Sequence, residues 1–295
     1  MKVLIQMWLH IGDRLIATAV VRDLKRQYPE YRIGVETPLP MSVFTNNPYI
    51  DWSINRNNAD KIVKLRYSGD ERTGSSGHCI EGALKRLNEE LGTKVKLSVL
   101  APDIHLPITR TNKPGYWIIN AGHQTGSSVK NLGLARYQEI VDRLPEIKFV
   151  QIGGKSASDV CKPLRGVENL IGQTNVQEVF SLLSGASGVI SPPSFIVHMN
   201  IFKNTPSIVL NGGREPDILT KYPNTIHFSC IGKYECCKKH ACKKFQVEKN
   251  SGERKACLDV VSVAGEAVPR CMAELNLNGI INKIRELNDL QNLQS

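Results

Sequence analysis

The chain opens with MKVLIQM, residues 1–7, a short apolar run of the kind presented by a strand buried on both faces. Residues 8–12 read as a tight turn. Residues 13–28 then place Leu15, Ile16, Ala19, Val20 and Leu24 at helical spacing, with Arg14, Arg22, Asp23, Lys25 and Arg26 mostly on the other side. One apolar stripe and one charged face predict an amphipathic helix. Strand-like segments follow at 32–36, 51–55 and 61–65, then an amphipathic helix over Cys79–Leu91. Past residue 115 the alternation restarts. Strands are expected at 116–120, 148–152, 188–191 and 206–210, helices at 135–144, 176–183 and 194–202, and a closing amphipathic helix at 275–293. Alternation at this pitch predicts an α/β fold of parallel sheets joined by right-handed crossovers. The stretch 106–115, LPITRTNKPG, has no periodicity and serves as the interdomain linker, while the polar, glycine-rich 67–77 is a loop.

Composition narrows the partners. At 295 residues and 41% apolar content, the chain can bury one large core or two ordinary ones. No run approaches the roughly 18 apolar residues of a membrane span. No export signal is evident, so a cytoplasmic location is expected. A formal net charge of +10 favours anionic partners: sugar nucleotides, anionic glycolipid or nucleic acid.

The cysteines are uneven. Cys79 and Cys161 stand alone, whereas Cys230, Cys236, Cys237, Cys242, Cys257 and Cys271 fall within 230–271. With no export signal, such a cluster points to metal before disulfides. Thiolates in fours suit zinc or a single iron. Adjacent Cys236 and Cys237 do not easily share one ion, so one of them is spare, as is Cys230. The candidate ligands are Cys236, Cys237, Cys242, Cys257 and Cys271, with free thiols as the alternative. Lys238, Lys239, Lys243 and Lys244 flank the cluster, either offsetting its charge or gripping an anion.

Two strand ends carry residues suited to chemistry, since ligands in open α/β sheets bind at the carboxyl ends of strands. Asp13 stands where an N-cap would be, and Gly12 before it lets the backbone come close to a bound group. A carboxylate there caps the helix or deprotonates an alcohol. His10 is a second candidate base or an acceptor contact. After the strand at 116–120, Gly122, Thr125, Gly126, Ser127, Ser128 and Lys130 precede a helix. Small residues, hydroxyls and a lysine suit a phosphate, although the spacing is neither Walker A nor GxGxxG. Asn175 and Glu178 have the spacing of a capping box.

IGDRLIATAVVRDLKRQYPEYRIGV followed by NNPYID resembles the opening of the glycosyltransferase family 9 heptosyltransferases, and VQIGGKSAS and NLIGQTNVQEVFSLLSGASGVISPPSFIVHMNIF resemble its C-terminal half. The resemblance implies a GT-B arrangement of two Rossmann-like domains. Residues 1–112 would bind the acceptor. Residues 113–295 would bind the nucleotide sugar and would include the cysteine-rich loop 230–271 and the last helix. Asp13 is implied as the general base and Lys130 as the contact to the donor diphosphate. Gly12, Thr125, Ser127, Ser128, Gln177, Glu178, Ser194, His198, Arg214 and Glu215 are implied around the donor. One departure matters: most members carry Asp-Thr-Gly where this chain has Pro192-Pro193-Ser194, although His198 keeps its family position. Ser191, Ser194 and His198 are the expected substitutes. A subgroup, the autotransporter protein heptosyltransferases, holds iron in a cysteine cluster similarly placed. That implies a structural metal, iron or zinc, with none required for the chemistry.

The expected activity is inverting transfer of a sugar, heptose first, from a nucleotide-diphosphate donor, ADP-linked first, to an acceptor hydroxyl on a glycan, a lipid-linked glycan or a protein. The last helix packs across the domains or forms a homo-oligomer. Two rivals stand beside this reading. One is a metal-containing nucleic-acid-binding protein, favoured by the charge; the other is a non-catalytic glycosyltransferase relative, suggested by Pro-Pro-Ser.

Overall fold

A computed structural model describes residues 1–7, 10–37, 42–65, 77–109, 115–124, 129–156, 159–238, 242, 245–246 and 256–293. The apolar opening forms β1 (Lys2–Gln6), the centre of a parallel three-stranded sheet between β2 (Arg32–Glu36) and β3 (Lys61–Lys64). Val3, Leu4 and Ile5 are buried on both faces, which is why the run is continuous and not alternating. The connection from β1 to β2 is α1 (Ile11–Gln27), and α2 (Cys79–Leu91) packs beside it. The stretch 51–55 is a turn and not a strand. The Asp51 carboxylate accepts from both the Ser53 N–H and its hydroxyl, and this local bonding outcompetes a ladder.

The predicted charged face of α1 is also corrected: Arg14, Arg22 and Asp23 are buried. The Arg22 guanidinium donates to both Asp23 oxygens, at 3.2 and 2.9 Å, and to the carbonyls of Val99 and Ala101. Asp23 also accepts from the Ser98 N–H at 3.1 Å and its hydroxyl at 2.5 Å. Burial opposes ionisation of Asp23, but the hydrogen bonds from Arg22 and Ser98 outweigh it and hold the carboxyl below its ordinary value. The segment around 98–101 thus satisfies the buried Arg22–Asp23 pair of that helix face.

The chain continues through β4 (Tyr116–Ile119), β5 (Gly122–Gln124), α3 (Leu134–Asp142), β6 (Lys148–Gln151), β7 (Asp159–Cys161), β8 (Glu168–Asn169) and α4 (Val176–Gly185). It then forms β9 (Ala186–Ser191), α5 (Phe195–Met199), β10 (Ser207–Asn211) and β11 (Thr225–Ser229). Six of these strands make a parallel sheet in the order β11-β10-β9-β4-β6-β8. The chain works outward from β4 in one direction, then returns to β9 and works outward in the other. The gap between β4 and β9 is therefore a topological switch point, the usual ligand crevice of a doubly wound sheet. β5 and β7 form a small antiparallel ribbon that periodicity did not predict.

The second sheet is buried on both faces. Tyr116 and Ile118 point into an apolar cluster shared with β1 and α1, so the two sheets have one continuous core on that side. Trp117 and Ile119 point the other way, towards α3 and the C-terminal helix. Trp117 lies across β9, and a Cβ on Gly188 would come 2.5 Å from its ring, so only glycine fits there. The C-terminal part holds β12 (Phe245–Gln246), β13 (Ala256–Cys257), a hairpin of β14 (Val260–Val263) and β15 (Glu266–Pro269), α6 (Arg270–Ala273) and α7 (Leu277–Asn292). Ile280, Ile281 and Ile284 of α7 pack on the sheet, the face predicted for the last helix. No helix among the described residues is long and apolar enough to cross a membrane.

Candidate active site

α1 begins just after central β1, and α5 begins just after β9, at the switch point. The two helices pack against each other there. A Cβ on Gly12 would sit 3.2 Å from His198 Cδ2 and 3.5 Å from the Phe195 Cα. Gly12 thus lets α5 approach closely, since a side chain there would press on the His198 ring.

Asp13 is not the N-cap. His10 holds the extended cap conformation, which places Asp13 in the third position of the helix. From there its Oδ2 accepts the His10 backbone N–H at 3.0 Å, one arm of a capping box. His10 itself is exposed. Asp13, next to the Gly12 contact with α5, is half-buried, and its Oδ2 is engaged in holding the turn.

Across the seam, the Asn120 amide follows β4 and donates to the hydroxyls of Ser191 at 3.1 Å and Ser194 at 3.3 Å. Those hydroxyls lie 2.9 Å apart, and Ser191 donates onward to the Pro192 carbonyl. Ser191 is fully buried and structural, whereas Ser194 is half-buried. Lys130 reaches over from the segment before α3. Its ammonium donates to the Pro193 carbonyl at 3.0 Å and pairs with Glu215 at 2.6 Å. One cation therefore ties three loops together at the carboxyl ends of β4, β9 and β10.

His198 completes the group. Burial first, and Lys130 second, depress its pKa to about 3, so at neutral pH it is an uncharged hydrogen-bonding group. His78, which N-caps α2, is likewise held at about 3 by burial and then by His198.

No protein-family model matches the sequence, and no curated protein matches it. Solved structures do. A glycosyltransferase family 9 protein from Veillonella parvula is similar over 100% of this chain and 97% of its own, with 15% identity and a TM-score of 0.64. The E. coli ADP-heptose lipopolysaccharide heptosyltransferase II is similar over 99% of this chain and 100% of its own, with 12% identity and a TM-score of 0.64. The fold is that of the family 9 heptosyltransferases. The iron-containing, dodecameric heptosyltransferase TibC of E. coli, solved with ADP-D-β-D-heptose, is similar over 97% of this chain and 77% of its own, with 19% identity and a TM-score of 0.65.

Within this heptosyltransferase fold, Gly12, Asp13, Lys130, Ser194, His198 and Glu215 gather at one seam. Thr125, Ser127 and Ser128 lie outside the described residues. Glu178 closes a capping box with Asn175, accepting its N–H at 2.7 Å, and Gln177 is half-buried beside it. Neither is hydrogen-bonded to the Lys130 group among the described residues. Arg214 turns towards the cysteine segment and donates to the Cys242 carbonyl at 3.3 Å. Sequence reasoning missed Asn120 as a site residue, though its place one residue beyond a predicted strand was a usable signal. It also missed Tyr222, which sits in a loop with no pattern to mark it.

All eight cysteines are free thiols. Several of the clustered ones surround the turn Gly212–Gly213 after β10. A Cβ on Gly213 would come 3.1 Å from Cys237 Sγ and 3.8 Å from Cys271 Sγ, and the Cys242 N–H donates to the Gly213 carbonyl at 2.6 Å. Cys236 and Cys242 hydrogen-bond one another; burial, then Cys242, raises Cys236 to about 12. The Cys237 thiol is taken by the Cys230 carbonyl at 3.3 Å. Among the described residues, no three His, Cys, Asp or Glu side chains converge as a metal-holding group. The donor chemistry suits iron or zinc; a closed tetrahedron is not formed.

Proposed function

We propose that this chain is an inverting glycosyltransferase that moves a sugar, heptose first, from an ADP-linked donor to an acceptor hydroxyl. The observation that carries the reading is the meeting of the first turn of α1, bearing Asp13, with the Lys130–Ser194–His198 group at the switch point. The fold supports it, because its solved neighbours include complexes with ADP-heptose and ADP. Asp13 takes the acceptor hydroxyl proton as that oxygen attacks the anomeric carbon. The bond from that carbon to the diphosphate breaks on the opposite face, and its electron pair leaves with the diphosphate. Lys130 stabilises that departing charge, aided by neutral donors from Asn120, Ser194 and His198.

Residues 1–112 serve as the acceptor-binding unit and 113–295 as the donor-binding unit, with the seam between them as the site. Cys236, Cys242, Cys257 and Cys271 are the four thiols we assign to a structural iron or zinc, leaving Cys237 as the spare member of the adjacent pair. When bound, the ion supplies only structure, tying 236–271 to the Gly212–Gly213 turn next to Glu215. An oligomer is in keeping with the dodecameric neighbour, and light scattering tests it.

The test is thermal unfolding of the full chain against ADP, ADP-heptose, other nucleotide sugars, and short DNA and RNA. A ligand at 100 times its dissociation constant adds about 2.7 kcal/mol to the folded state. A shift with ADP compounds alone supports the transferase. A salt-dependent shift with DNA or RNA alone replaces it with the nucleic-acid reading. No shift with any of them leaves a non-catalytic relative.

A further inference from the structure

Of the buried group His198, Tyr222 and Cys79, the chemistry above uses only His198. His198 Nδ1 lies 2.8 Å from the Tyr222 hydroxyl, and the Cys79 sulfur lies 4.0 Å from the same nitrogen and 3.7 Å from His78 Nδ1. His78 packs edge-on against the Tyr222 ring, with centroids 4.5 Å apart and planes at 74°. Tyr222 and Cys79 are 6% and 5% exposed, so water does not compete for these groups. The members come from α2, α5 and the loop before β11, so the group spans the seam between the two sheets.

The direction of its protons decides which nitrogen of His198 is the donor. Burial raises the pKa of both Cys79 and Tyr222, so each keeps its proton. Sulfur is a weak acceptor and a thiol a weak donor, whereas a phenol is a strong donor and an imidazole nitrogen a strong acceptor. With Tyr222 donating to Nδ1 across 2.8 Å, the strong donor meets the strong acceptor, and the thiol stays at the edge of the group with only long contacts. The reverse direction leaves the phenol proton without that acceptor. The remaining imidazole proton is then on Nε2, which points to the α1 terminus, 3.7 Å from where a Gly12 Cβ would stand.

We propose that Tyr222 is a positioning residue that fixes His198 in its Nε2–H tautomer, presenting a neutral N–H at the seam to the oxygens of a bound sugar diphosphate. The ligand in this statement rests on the transferase reading; the tautomer does not. The experiment is 15N spectroscopy of the ligand-free full chain labelled at histidine, with His198→Ala giving the assignment. At pH 7 His198 should carry its proton on Nε2 and show no protonation step between pH 6 and 8, in the presence of its neighbours Lys130, His78, Cys79 and Tyr222. Tyr222→Phe should spread His198 over both tautomers, while Cys79→Ala leaves the pattern in place. A proton on Nδ1 in the unmodified chain, or an unchanged pattern in Tyr222→Phe, overturns the proposal. Should Tyr222→Phe fail to fold, the spectrum of the unmodified chain decides alone. ADP-heptose should bind Tyr222→Phe roughly two- to tenfold more weakly, as expected for one neutral hydrogen bond. If ADP-heptose does not bind the unmodified chain, the transferase reading fails and the tautomer result stands by itself.

Discussion

Asp13 carries a structural and a proposed chemical role, and Asp13→Asn separates them. Structurally, its Oδ2 accepts the His10 N–H at 3.0 Å. Asparagine keeps a carbonyl oxygen with the same reach, so that bond survives. What is lost is a negative charge in the first turn of a helix, worth about 0.3–1 kcal/mol. In a chain of this size that is a melting shift of no more than about 4 °C. Asp13→Ala removes the bond as well, adding roughly another 1 kcal/mol. Chemically, an amide cannot take a proton, and losing a general base costs about 10²–10⁴-fold in rate. That corresponds to about 3–5.5 kcal/mol of barrier, several times the stability change. The assay pairs thermal unfolding of both variants with single-turnover transfer from ADP-heptose to an acceptor that the unmodified chain uses. The reasoning is refuted if Asp13→Asn transfers within tenfold of the unmodified chain, for then the carboxylate is only a cap. It is equally refuted if the transfer loss is matched by a stability loss above about 2 kcal/mol.

Cys257→Ala should lower both bound metal, measured by elemental analysis, and the melting temperature; full metal content with an unchanged melting point removes Cys257 from the ligand set. Glu215→Gln should tighten ADP binding in calorimetry, because it frees Lys130 from its 2.6 Å counter-ion; weaker binding would make Glu215 a direct donor contact instead. The Asp23 carboxyl is depressed in the folded chain, so its contribution is fully present above the ordinary carboxylate value of about 4 and is lost as pH falls through the folded value. Urea unfolding from pH 6 down to pH 2 should show that loss, and Asp23→Asn should flatten it; identical slopes would mean the buried pair does not control acid stability.

The parts of the fold legible in the sequence share one property: their pattern is local. β1, β4, β9 and β10 are each buried on both faces, so each carries a short apolar run whatever the rest of the chain does. The switch point follows, because strand ends locate Gly12, Lys130 and Ser194. Features that depend on distant residues were not legible. Arg22 and Asp23 look solvated until residues 98–101, far along the chain, cover them. The start of α1 depended on the backbone at His10, which no side-chain pattern fixes. The ribbon of β5 and β7 is too short for alternation to register. Tyr222 reaches His198 only because a loop folds back under α5.

Pro192-Pro193 explains the electrostatics of this site. Proline has no N–H, so two potential anion donors are withdrawn from the turn that enters α5. α5 is five residues long, with few free N–H groups and little dipole to offer in their place. The Pro193 carbonyl instead faces inward and accepts a hydrogen bond from the Lys130 ammonium. The turn thus presents an acceptor where a donor would be useful to a phosphate. Among the described residues, the cation that meets this turn is Lys130, which Glu215 already neutralises, beside the neutral amide of Asn120 and hydroxyl of Ser194. On the proposed reading, a diphosphate held here competes with Glu215 for Lys130, so the carboxylate on the turn after β10 weakens donor binding. That turn is the one the cysteines surround, and the cysteine segment and the proposed donor site therefore meet the same few residues, Gly212 to Glu215.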